Sequence, residues 1–124
     1  MKAIALSFLP LFTLISVGFA QQKTTDKAVI KTPTIQCDKC KDRVEFFISH
    51  EDGISSIKVD IKRKTTTVVW VNDRTTLENI KVDIANLGFD ADDIEAEESA
   101  FKRLPKECRQ HKEALKPKVP ETKQ

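Results

Sequence analysis

Two periodicities alternate along this chain. In "ISSIKVDI" (residues 54–61) Ile57, Val59 and Ile61 are separated by Lys58 and Asp60, and "TTTVVWV" (65–71) is β-branched and aromatic throughout. Both patterns predict strands, and the charged "KRK" between them predicts a hairpin turn. From Cys40 the spacing changes: Cys40, Val44, Phe47 and Ile48 form one helical stripe, with His50 in its last turn and Gly53 just beyond as a stop. Leu77, Ile80, Ile84 and Leu87 trace a second stripe. Thr75, three residues before Glu78, opens it as a capping box, and Gly88 ends it. "AVIKTPTI" (28–35) places Ile30 and Thr32 on one alternation face and reads as an opening strand, with Pro33 tolerated only at an edge or end. "FDADDIEAE" (89–97) alternates Ile94 and Ala96 against acids, the pattern of a fourth strand whose charges protect a sheet edge.

The predicted order is strand, helix, strand, strand, helix, strand. That is an α+β, ferredoxin-like βαββαβ sandwich: a four-stranded antiparallel sheet with two helices on one face. It occupies residues 28–97. Before it, Lys2 is followed by the uncharged run "AIALSFLPLFTLISVGFA", with small residues Gly18 and Ala20 at its end. This predicts a signal peptide over 1–20, cleaved after Ala20, then a polar lead-in over 21–27. A periplasmic or secreted protein is expected, with no stable membrane insertion after cleavage. Residues 98–124 read as a short segment docking through Phe101 and Leu104, followed by a tail rich in Lys and Pro.

Charge changes the picture only by exclusion. The chain carries 21 Lys and Arg against 19 Asp and Glu. Residues 21–100 hold 12 basic against 16 acidic side chains, whereas residues 101–124 hold 8 against 3. An exported chain with an acidic body argues against a nucleic-acid partner, and the basic end reads as a solvated tail.

The candidate chemistry lies in "TIQCDKC". Cys37 falls in the loop after the first strand and Cys40 in the first turn of the first helix, where free N–H groups and the helix dipole favour thiolate. Lys39 and Lys41 add positive charge. Two thiolates on one loop suit a soft ion such as Cu(I), while Zn(II) would want further ligands. In an oxidising compartment the same pair also suits a disulfide, either redox-active or static.

Together, "TIQCDKC", the hairpin "GISSIKVDIKRKTTTVVW" and the corner "LENIKVDIANLGFDAD" resemble the heavy-metal-associated domain, over residues 28 to about 97. The fold occurs in copper metallochaperones, in modules of copper-exporting ATPases and in periplasmic mercury-binding proteins. The resemblance implies a non-enzymatic carrier that holds Cu(I) or Hg(II), with Zn(II) or Cd(II) also acceptable, through Cys37 and Cys40. It also implies a monomer that exchanges the ion with a membrane metal transporter or another metal-binding protein. In the family resembled, Ile35 stands where Met is usual and Thr34 where Gly is common, while Phe89 occupies the neighbourhood after the second helix, across the loop from the thiols, whose residue tunes the metal and its partner. The rival class is a thiol–disulfide oxidoreductase using the same cysteines; against it, the strand order is not thioredoxin-like.

Cys108 makes the thiol count odd. Three roles are open to it: a third ligand folding back over the loop, a disulfide to another chain, or an ordinary tail residue. His50 is expected about 15 Å along the helix from Cys40, too far to share an ion, and His111 lies in the tail. The acidic run Asp90, Asp92, Asp93, Glu95, Glu97 and Glu98 lacks calcium-loop spacing and reads as a solvated edge. Trp70 reads as sheet core.

Overall fold

The computed structural model describes residues 24–115, with side chains to residue 110. The predicted signal segment, and the side chain of His111, lie outside the described residues. β1 (Thr25–Lys31), β2 (Ile54–Asp60) and β3 (Thr65–Val71) form one antiparallel sheet in the order β1-β3-β2. β1 starts inside the expected lead-in because Thr25 to Lys27 find partners in Val71 to Val69. The β2–β3 hairpin lies where the alternation placed it, and Lys64 takes the turn's left-handed conformation at φ 54°.

α1 (Asp38–Ser49) and α2 (Leu77–Asn86) pack together, and α1 covers β2. Val44 and Ile48 of α1, Ile80 and Ile84 of α2, and Ile30, Val59, Val68 and Trp70 of the sheet share one buried cluster. Alternate residues of β3 supply its inner face, Thr66, Val68 and Trp70, as a half-buried strand requires. Thr32 and Thr66 bury a hydroxyl pair 2.8 Å apart at one end of that core.

Four sequence expectations need correction. Residues 89–97 do not form a fourth strand. Asp92 adopts a left-handed conformation at φ 51°, and Ala91 and Ile94 exchange both backbone hydrogen bonds at 2.9 Å, which closes a tight turn. This turn touches the end of β1 at one point: Asp92 N donates to Lys31 O at 2.8 Å, and Lys31 N donates to Asp92 Oδ1 at 2.7 Å. The Lys81 ammonium fixes it from the helix side, 3.1 Å from Glu78, 3.5 Å from Asp92 and 3.5 Å from Asp93. The acidic run is therefore mostly structural, and the ferredoxin-like fold is built here on three strands.

The cap of α2 is Thr76 rather than Thr75: its Oγ1 accepts Asn79 N at 3.3 Å from an extended backbone. Phe47 is exposed instead of core-facing, its ring edge-on to Phe46 with the Arg43 guanidinium stacked over it at 5.2 Å. Finally, the chain past Leu104 is not all tail. α3 (Glu98–Arg103) leads into α4 (Lys106–Leu115), a charged helix that low apolar content concealed. Among the described residues no helix is long and apolar enough to cross a membrane.

Candidate metal centre

Cys37 is the N-cap of α1, in extended conformation, with its Sγ accepting the N–H of Cys40 at 3.3 Å. The sulfur thus does what a Ser or Asp oxygen does at most helix starts. Negative charge on it meets both that N–H and the positive end of the helix. Cys37 is half-buried, while Cys40, the third residue of α1, is fully buried. The pair therefore offers one accessible and one sheltered sulfur.

Beneath the loop Ile35 is fully buried, occupying the support position with a stiff branched side chain. Thr34 is also buried, and its Oγ1 accepts Asp90 N at 3.0 Å, tying the approach to the thiols to the corner after α2. Phe89, at that corner, is fully buried within the core cluster, consistent with a packing role.

The third sulfur arrives from the C-terminal segment. Glu97 caps α3 through its carboxylate, which accepts the N–H groups of Ser99 and Ala100 and the Ser99 hydroxyl. These bonds, the Ser99 hydroxyl first, hold its carboxyl below the usual glutamate range. Glu97 N also donates to Ala85 O at 2.9 Å, seating α3 on the end of α2. Leu104 then packs directly over Gly88, and Cys108, the third residue of α4, is 1% exposed.

The three Sγ atoms lie within 4.8 Å of one another. Cys40 Sγ touches both Cys37 Sγ and Cys108 Sγ, while Cys37 and Cys108 are 3.7 Å apart. One cysteine sulfur forms one disulfide, so the two contacts of Cys40 are alternatives within a crowded trio. Among the described residues this trio is the cluster of possible ligand side chains whose donor atoms converge. His50 does not join it: it is the C-cap of α1, where its Nδ1–H donates to Phe46 O.

The sequence profile of the heavy-metal-associated domain matches residues 29–90. Over 90 residues the chain is 30% identical to the mercuric transport protein periplasmic component of Shewanella putrefaciens, covering 72% of this chain and 93% of that protein. Over 75 residues it is 31% identical to copper-transporting ATPase 1 of Mus musculus, covering 60% of this chain but only 5% of the ATPase. The crystal structure of oxidized MerP from Ralstonia metallidurans CH34 superposes with a TM-score of 0.52 at 20% identity, covering 55% of this chain and 94% of that one. At that identity the likeness is one of fold.

Proposed function

Because the chain belongs to the heavy-metal-associated domain family, we propose that it is a carrier that holds a soft ion, Cu(I) or Hg(II), between Cys37 and Cys40 and hands it on by ligand exchange. The observation that carries this reading is the arrangement at the start of α1: a helix-capping, half-buried sulfur beside a fully buried one. The buried sulfur keeps the ion from water. The accessible one gives an incoming thiolate a side from which to add to the ion before either original bond is released. A softer ion gains most from such a site, since the donor atoms that converge there are sulfurs.

The partner is a dithiol-bearing domain, on a membrane metal transporter or on another metal-binding protein. Export to the periplasm is supported by the apolar run ending in Gly18 and Ala20, and by the likeness to the periplasmic component from Shewanella putrefaciens. The contacts of Cys40 support a second reading, in which the resting protein carries a disulfide. Loading would then follow reduction, because a bridged sulfur is not a thiolate ligand.

Titration of the reduced protein with Cu(I) and with Hg(II), each against a competing chelator, tests the clasp. One tight equivalent that disappears in the Cys37→Ser, Cys40→Ser double variant is expected. Binding that survives the double substitution sinks the reading. Binding equal with and without reductant removes the resting disulfide.

A further inference from the structure

We propose that Cys108 is a third thiolate ligand, delivered by α4, so that the cargo ion sits in a trigonal three-sulfur site. The assignment rests on Cys37 and Cys40 forming the clasp, and adds the ligand that fixes coordination number and retention.

Packing, in addition to the sulfur contacts, places Cys108. Ala100 and Leu104 are buried against the domain, Leu104 lies over Gly88, and the Glu97 N–H to Ala85 O bond anchors the segment at its start. The Cys108 sulfur is therefore held at the cluster when all three thiols are reduced. Its own flanks, Lys106, Glu107 and Arg109, are charged, while Cys108 itself joins Leu104 in the buried core cluster.

The electrostatics repeat those at Cys40. Cys108 and Cys40 each occupy the third position of a helix, so two helix N-termini converge on one sulfur cluster and both favour thiolate. The second residues of the same helices, Lys39 and Glu107, approach to 3.9 Å and link the two first turns at the surface. Distance agrees as well. A metal–sulfur bond of about 2.3 Å puts the sulfurs of a trigonal site about 4 Å apart, and Cys37 and Cys108 already stand 3.7 Å apart. Only Cys40 Sγ, which touches both, has to draw back.

Release follows from where the third ligand is carried. An incoming partner thiolate adds to the ion as the Cys108 thiolate leaves, so the ion keeps three sulfurs throughout and no electron is transferred. Cys37 and Cys40 stay bound until the partner's second thiolate arrives. Cys108 thus slows loss to water without blocking exchange.

The test is X-ray absorption at the metal on the reduced protein carrying one equivalent of Cu(I), beside Cys108→Ser and Cys108→Ala. Three sulfurs are expected in the parent at every protein concentration, and two in both variants. Affinity against a non-thiol chelator should fall at least about tenfold with stoichiometry still one. Two sulfurs in the parent, or a third that disappears on dilution and so comes from a second molecule, overturns the assignment while leaving the clasp intact. Failure of the clasp itself is recognised separately, as binding indifferent to loss of Cys37 and Cys40. Should the Cys108 variants misfold by circular dichroism, Leu104→Ala keeps all three thiols and loosens their docking. A third sulfur that is lost there, or kept with weaker retention against the chelator, supports the assignment, and a count and an affinity both unchanged contradict it.

Discussion

Gly88→Ala attacks the placement of the third sulfur without touching a thiol. Gly88 sits at φ +100°, and a Cβ there would lie 2.9 Å from Leu104 Cδ1, 3.0 Å from Leu104 Cγ and 3.1 Å from the Ala100 carbonyl carbon. Backbone strain at such a φ costs about 1–3 kcal/mol, and overpacking against a backbone atom that cannot rotate away adds about 1–3 kcal/mol. A loss of about 3 kcal/mol is expected, a large share of the roughly 5–15 kcal/mol that holds a domain together. Leu104→Ala should cost about 2–5 kcal/mol alone, since Leu104 is buried. Combined with Gly88→Ala it removes two of the three close atoms, so the pair should cost at least about 1 kcal/mol less than the sum. Urea unfolding of the reduced proteins reads the energies, and the alkylation rate of Cys108 reads the docking. Costs that add within about 0.5 kcal/mol, or a Cys108 no more reactive in Gly88→Ala, would refute the packing argument.

Other outcomes follow from the same geometry. Asp92→Ala removes the carboxylate that receives Lys31 N and faces Lys81, at a left-handed position; a loss of about 2 kcal/mol in urea unfolding is expected, and a change within 0.3 kcal/mol would show that the turn does not matter. Thr32→Val strands the buried Thr66 hydroxyl and should cost about 1–3 kcal/mol, while Thr32→Val with Thr66→Val should be nearly neutral; equal costs would contradict the paired hydroxyls. Glu97 titrates below its ordinary range in the folded protein. Its contribution to α3 is therefore complete above about pH 4.3 and is lost as pH falls through the folded value. Between pH 7 and pH 3 the parent should lose more stability than Glu97→Gln, and parallel acid curves would refute the sign.

The sequence revealed elements wherever one period ran uninterrupted. Val59 and Ile61 against Lys58 and Asp60, and the stripe of Cys40, Val44 and Ile48, announced β2 and α1 because burial on one side dictates the alternation. Phe47 misled because an aromatic at helical spacing can cover its own surface, here with Arg43 and Phe46. The fourth strand misled for a different reason: Ile94 and Ala96 alternate correctly, but Asp92 is held left-handed by Lys31, and Lys81 faces it from α2. Neither neighbour is adjacent in sequence. Cys37 and Cys40 were legible as a candidate pair from three-residue spacing at a helix start. For Cys108 a return to the loop was legible only as one of three open roles, because its arrival depends on Leu104 lying over Gly88 and on a helix too charged to display an apolar stripe.

The central claim is carriage of a soft ion by exchange, and stopped-flow transfer of Cu(I) tests it most directly. The loaded, reduced protein is mixed with rising excesses of an apo acceptor bearing two cysteines. The account predicts a transfer rate that climbs in proportion to acceptor, because the entering thiolate adds to the ion before Cys37 and Cys40 leave. A rate independent of acceptor would mean release into water before capture, and would contradict it.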